Sequence, residues 1–252
     1  IFQRMVIDAT RMSLGVLVTE DDPSTGGPER IFNNLVKRFK DISGDVIQLK
    51  PYYVCKNSFP ETVGKHPGYI ITGAHYNVNE GLEWMNKLEN FIRQIKEKGD
   101  IKLFGICFGH QMTARAFGGK VGLNPSKRFI WGCDRVEVSP EFAEMCFYKN
   151  ASLNPTYFHI MQSHYDQVIE TPESARVLGG CEECPDEILM YGENILTMQG
   201  HPELIQERML ARLLTRVENK NLTKEEADKA RATLQLDEGD KLMKLIVAFF
   251  QQ

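Results

Sequence analysis

The 252-residue chain is 42% hydrophobic and 25% charged, the balance of a globular protein and not of a disordered tract. Its 30 basic and 34 acidic side chains leave a net charge of −4, so no bulk cationic field recruits nucleic acid or anionic lipid. No run of 18 apolar residues reads as a membrane-spanning helix, and six cysteines are too few for a disulfide scaffold.

Ile1 to Met12 lacks the apolar core of a signal peptide. With the sparse cysteines, the expectation is a reducing, cytoplasmic compartment. Leu14 to Glu20 reads as a buried strand, followed by the turn-rich stretch DDPSTGGP. A helix then opens at Pro28 and carries Ile31, Phe32, Leu35, Val36 and Phe39 on one face. Asp45 to Lys50 and Tyr69 to Thr72 read as further strands. From Glu83 to Ile95, Trp84 is followed by Leu88, Phe91, Ile92 and Ile95 at offsets of four, seven, eight and eleven, the spacing of an amphipathic helix.

Lys102 to Cys107 is another apolar strand, with a helix over Gln111 to Phe117 directly after it. Strands alternating with helices predict a parallel sheet covered on both faces. Between Arg128 and Gln199 the pattern turns mostly to strands, and a Gly-Glu-Asn turn near its end predicts a hairpin. The tail is helical, with Leu204, Met209, Leu213 and Val217 on one face. The charged run TKEEADKAR reads as a solvated helix face, and Leu242, Leu245, Ile246 and Phe249 form a last apolar stripe. No linker divides the chain, so residues 1–252 are read as one domain.

Two motifs carry chemistry. Gly105-Ile-Cys107-Phe-Gly109 sets a cysteine between glycines at a strand-to-helix junction, where a nucleophile can sit on a tight, strained turn. The N–H groups of the following helix favour a thiolate there and can stabilise an oxyanion. Gln199-Gly-His201-Pro-Glu203 follows another apolar strand. Its carboxylate can fix the imidazole tautomer, and the imidazole can relay protons for the cysteine.

Taken together, GICFGHQ and GHPE resemble the class I glutamine amidotransferase superfamily, and most of all its free-standing γ-glutamyl peptidases. GGPERIFNNLVKRF, EWMNKLENF and ADKARATLQ extend the likeness beyond the catalytic motifs. The resemblance implies a three-layer α/β domain with a mostly parallel central sheet, of the flavodoxin-like amidotransferase type. It implies Cys107 as nucleophile, His201 as base and Glu203 as its orienter. Backbone N–H groups of Gly73 and Phe108 would serve the oxyanion. Gln111, Ser163, Tyr165 and Asp166 would bind the γ-glutamyl head group.

Thr72-Gly73-Ala74 stands where many biosynthetic amidotransferases carry Gly-Gly-Pro, and Tyr165 stands where many carry glycine. The implied activity is hydrolysis of a γ-glutamyl amide bond through a thioester, on glutathione, its conjugates or related small molecules, with no metal and no cofactor. Other readings stay open at this point: a glutaminase subunit feeding ammonia to a synthase partner, a silent γ-glutamyl-binding protein, or a folate γ-glutamyl hydrolase. A homo-oligomer also stays open. Cys181-Glu-Glu-Cys184 has half a zinc site's spacing but no second half, so its thiols are expected to be structural. His75, His159 and His164 have only scattered carboxylate companions in the sequence and are expected to be satisfied or exposed histidines, not metal ligands.

Overall fold

The computed structural model describes residues 11–252, so most of Ile1–Met12 lies outside the described residues. The strands are β1 Met12–Val18, β2 Ile47–Tyr53, β3 Gly68–Ile71, β4 Lys102–Ile106, β5 Lys120–Leu123 and β6 Ile130–Val138. They continue with β7 Tyr157–His164, β8 Asp166–Glu170, β9 Ala175–Gly180, β10 Ile188–Tyr191 and β11 Ile195–Met198. The helices are α1 Gly27–Ser43, α2 Glu83–Lys98, α3 Phe108–Ala116, α4 Pro140–Glu144, α5 Cys146–Asn150, α6 Gln206–Glu218, α7 Lys224–Thr233 and α8 Gly239–Phe250.

The main sheet runs β2-β1-β3-β4-β11-β10-β9-β6-β7. Its first five strands are parallel, and the pairings from β11 onward are antiparallel. The parallel strands are covered on both faces, which explains their unbroken apolar sequences. Leu14, Val16, Ile70, Phe104, Ile106 and Leu196 point to one side, where α1 and α8 pack with Leu35, Phe39, Leu242 and Ile246. Leu17, Tyr69, Ile71, Leu103 and Ile195 point to the other, against Leu88 and Ile92 of α2 and Met112 of α3. The period of two along each strand thus feeds two separate cores. The expected α/β sheet with helices on both faces is present.

The strand-rich stretch forms β6 to β11, and the Gly-Glu-Asn turn closes the β10–β11 hairpin with Tyr191 opposite Ile195. Two features differ from the sequence reading. The short helices α4 and α5 interrupt the strands; Ser139 caps the first by accepting the Phe142 N–H at 3.1 Å. Five-residue helices show no apolar period, so only the Ser-Pro start could have announced them. Strands β5 and β8 pair with each other in a separate ribbon. α6 and α7 close over the β6–β7 edge, where Met209, Leu213, Ala227 and Ala230 meet Phe129, Trp131 and Met161.

The chain segments leaving β1, β3, β4 and β11 all emerge at the carboxyl end of the parallel strands, where open α/β sheets place ligands. The turn after β4 closes only because two residues lack side chains. A Cβ on Gly105 would lie 2.8 Å from the backbone of Gly109, and one on Gly109 would lie 2.6 Å from the Ile71 carbonyl oxygen. Gly109→Ala is therefore expected to destabilise the fold by about 1–3 kcal/mol, because rigid strand backbone must move. Urea unfolding of the variant measures this, and an unchanged midpoint would show that the turn can relax.

Candidate active site

Cys107 is the single residue between β4 and α3, with φ 49° and ψ −100°. A side chain rarely adopts that backbone conformation, and here the neighbours enforce it. The Cys107 N–H bonds the Met198 carbonyl at 2.9 Å, which fastens the turn to the end of β11. Beyond β11, His201 is held by its N–H on the Met161 carbonyl at 2.8 Å. Its Nδ1 lies 2.8 Å from Glu203 Oε1, and its ring also hydrogen-bonds the Cys107 thiol. The Gln199 side-chain amide donates to Cys107 Sγ at 3.5 Å. Cys107, His201 and Glu203 are thus brought together as expected from their motifs.

Burial opposes a charge on the His201 ring. The Glu203 carboxylate and the Cys107 sulfur, each by charge and hydrogen bond, outweigh it and raise the His201 pKa well above its usual value. The arrangement favours the imidazolium form of His201. Two other imidazoles lie nearby and are buried. His110 Nδ1 is 2.8 Å from Thr197 Oγ1, and His164 Nδ1–H donates to the Asp166 carbonyl at 3.1 Å.

A cleft of about 370 Å³ opens above the sulfur and is lined by Gly73, Gln111, Ser163, Tyr165 and Asp166 as well as by the Cys-His-Glu group. The Gln111 amide nitrogen donates to the Asp166 carbonyl at 2.7 Å and to Gln199 Oε1 at 3.1 Å, so its carbonyl oxygen is the end left for a ligand. The Asp166 carboxylate accepts from the Asn77 side chain, and burial raises its pKa. Tyr165 packs its ring 4.8 Å from Phe129 and is 37% exposed, forming part of the cleft wall. The Phe108 side chain turns into the core, 5.7 Å from Trp84, so only its backbone remains beside Cys107.

A threonine pair after β1 and β3 orients the Gly73 peptide. Thr19 Oγ1 donates to the Thr72 carbonyl at 2.9 Å. Because the peptide unit is trans and planar, the Gly73 N–H then points away from Thr19. A Cβ on Gly73 would lie 2.9 Å from His201 Cε1, so a glycine there leaves the imidazole its space.

Several participants escape the sequence reading. The expectation of scattered carboxylates fails for His75, whose Nδ1 is 2.6 Å from Glu20 Oε1 with Asp21 close by. Glu20 and His75 follow different strands, and only the adjacency of β1 and β3 joins them. Arg208, Arg212 and Arg216 line the cleft from α6; their spacing of four residues is the signal the sequence offers. Cys181 N–H bonds the Cys184 carbonyl at 2.9 Å in a tight turn, and both thiols are free. Their pKa values are raised by burial first and then by Glu187.

Glu187 is the least expected of these residues. It is fully buried, accepts the Gly200 N–H at 2.7 Å and the Gln162 amide at 3.0 Å, and so anchors the segment that carries His201. Burial raises its pKa from 4.5 to about 7, against the pull of those hydrogen bonds. A carboxyl group whose pKa is higher folded than unfolded costs stability as pH rises from 4.5 toward 7, and the full cost persists above that. Glu187→Gln removes this cost. The variant's stability relative to the parent is expected to be greater at pH 8 than at pH 5 in urea titrations; a pH-independent difference would show that the carboxylate is fully stabilised.

Residues 29–218 match the class I glutamine amidotransferase family. Gamma-glutamyl peptidase 5 of Arabidopsis thaliana is 32% identical over 213 residues, covering 83% of this chain and 82% of that protein. One of the subunits of the glutamine-hydrolysing GMP synthase of Saccharolobus solfataricus is 28% identical over 177 residues, covering 69% of this chain and 84% of its own length. A solved glutamine amidotransferase from Thermotoga maritima superposes with a TM-score of 0.72 at 18% identity, over 96% of this chain and 100% of that one, a likeness of fold. With its motifs, its sheet and most of its length in agreement, the chain belongs to the class I glutamine amidotransferase family.

Proposed function

We propose that this chain hydrolyses γ-glutamyl amide bonds through a γ-glutamyl thioester on Cys107. The observation that carries the reading is the His201 imidazole held between Glu203 and the Cys107 sulfur at the base of the cleft. The Cys107 thiolate attacks the γ-carbonyl carbon and drives its electron pair onto oxygen. The backbone N–H groups of Gly73 and Phe108 receive that oxyanion; loss of one such donor typically costs about 100- to 1000-fold in rate. As the C–N bond breaks, the His201 imidazolium gives its proton to the departing amine. Neutral His201 then takes a proton from water, hydroxide adds to the thioester, and the C–S bond breaks to free glutamate and restore the ion pair. Glu203 keeps the imidazole in one tautomer throughout. Gln111, Ser163 and Asp166 hold the amino-acid end of the head group. Each step uses only side chains, backbone and water.

A second reading, ammonia supply to a separate synthase, is supported by the likeness to one component of a GMP synthase. The Tyr165 wall and the Ala74 loop favour the peptidase reading. An aromatic wall in the cleft that holds the sulfur suits a leaving group larger than ammonia. No helix among the described residues is long and apolar enough to cross a membrane.

Two outcomes are expected. Cys107→Ala should abolish release of glutamate from γ-glutamyl peptides while the unfolding midpoint barely moves; persistent turnover would remove the nucleophile from the scheme. The parent protein, with nothing added, should cleave a γ-glutamyl dipeptide with a higher kcat/KM than glutamine. Part of that difference should appear in kcat, since binding energy from the leaving group can be used in the transition state. Glutamine turnover that rises only when a synthase is added would favour the second reading.

A further inference from the structure

Arg208, Arg212 and Arg216 stand four residues apart on α6, and all three reach the cleft above Cys107. At this spacing they follow one side of the helix for about 12 Å, the reach of roughly three extended residues. The adjoining side of α6 bears the buried Met209 and Leu213, which seal the helix onto the protein and leave the guanidinium groups half-buried. Arg208 feels the Glu203 carboxylate at one end and Arg216 feels Tyr165 at the other, so the row spans the cleft from the triad to the tyrosine wall.

Glu20 and Asp22 answer the charge of Arg212, whereas Arg208 and Arg216 form no ion pair among the described residues. Glu203 is engaged by His201, Glu20 by His75 and the backbone N–H groups of Asp21 and Asp22, and Asp166 by Asn77. Arg208 Nε is buried without a hydrogen-bond partner among the described residues. The Arg216 guanidinium lies 4.6 Å and 5.0 Å from the ring centres of Phe129 and Trp131, a placement that fixes its orientation. Burial, and after it the charge of neighbouring arginines, lowers the pKa of both groups, that of Arg208 to about 10. Crowded, half-desolvated guanidinium groups are stabilised by an anion that bridges them.

A glutamyl head group brings one carboxylate, next to its own ammonium, and is shorter than the row. We propose that Arg208 and Arg216, at the two ends of the row, select γ-glutamyl substrates whose leaving group ends in a free carboxylate, as a short γ-glutamyl peptide does. The proposal rests on the hydrolase reading above.

The test compares a γ-glutamyl dipeptide bearing a free C-terminal carboxylate with the same dipeptide as its C-terminal carboxamide. The parent protein is expected to prefer the acid by about 10-fold in kcat/KM, the scale of one charge-assisted hydrogen bond. That preference should shrink as salt is raised. In Arg208→Gln and Arg216→Gln the acid-to-amide ratio should fall toward one, while Arg216→Lys should keep part of it. Damage to the fold would lower both rates together and leave the ratio intact, so a ratio unchanged in both glutamine variants overturns the proposal. Equal cleavage of the two peptides by the parent protein overturns it while leaving the hydrolase reading standing. Cleavage of neither overturns both.

Discussion

The site depends on one residue held in a backbone conformation that its side chain disfavours. Cys107 at φ 49° carries a cost of about 1–3 kcal/mol, and only the surroundings sustain it. Those surroundings are α3, whose nine residues are buried but for Arg115, the glycines that let the helix meet β3, and the bond to Met198. Strand pairing does the rest. β4 lies beside β11 with Ile106 opposite Met198, so the residues that follow the two strands, Cys107 on one and Gln199 to His201 on the other, emerge together. A slip of one residue in that register would turn alternate side chains to the wrong face and part the sulfur from the imidazole.

Around that junction the protein spends polar groups on position. Thr19 and Thr72 clamp the ends of β1 and β3 to each other. Glu187 reaches from the start of the β10–β11 hairpin to the Gly200 amide, so the antiparallel half of the sheet sets the place of a residue that follows its parallel half. A buried carboxyl group is a costly tether. Its two hydrogen bonds add to the backbone contacts that hold this loop, from the Gln199 N–H to the Glu187 carbonyl and from the His201 N–H to the Met161 carbonyl.

How much of this is legible in the chain follows from how far each signal travels. The Cys107 turn and the His201–Glu203 pair are local motifs flanked by apolar strands, and both can be read directly. The helices with long apolar periods, α1, α2 and α8, are equally plain. Glu20 with His75, and Thr19 with Thr72, lie more than 50 residues apart and meet only through strand order, which no local pattern encodes. The arginine row lies in plain view, but a period sought among apolar residues passes over it. It runs one position ahead of Met209, Leu213 and Val217, so the same spacing that marks the buried face of α6 also marks the charged one. Glu187 is hidden for another reason: a charged residue beside an apolar strand reads as solvent-facing until packing shows otherwise.

The two buried imidazoles near His201 bear on where positive charge can rest in the site. Burial first, and then the charge of His201, takes His164 down to about 3; burial and His164 take His110 to about 3 as well. Across the whole neutral range both rings are uncharged fixtures. Of the three buried imidazoles here, His201 is the one whose surroundings favour the positive charge, and neither His110 nor His164 is suited to accept it in exchange. Under the proposed mechanism the His201 proton would pass between sulfur, substrate and water without being handed to His110 or His164, which stay neutral beside it.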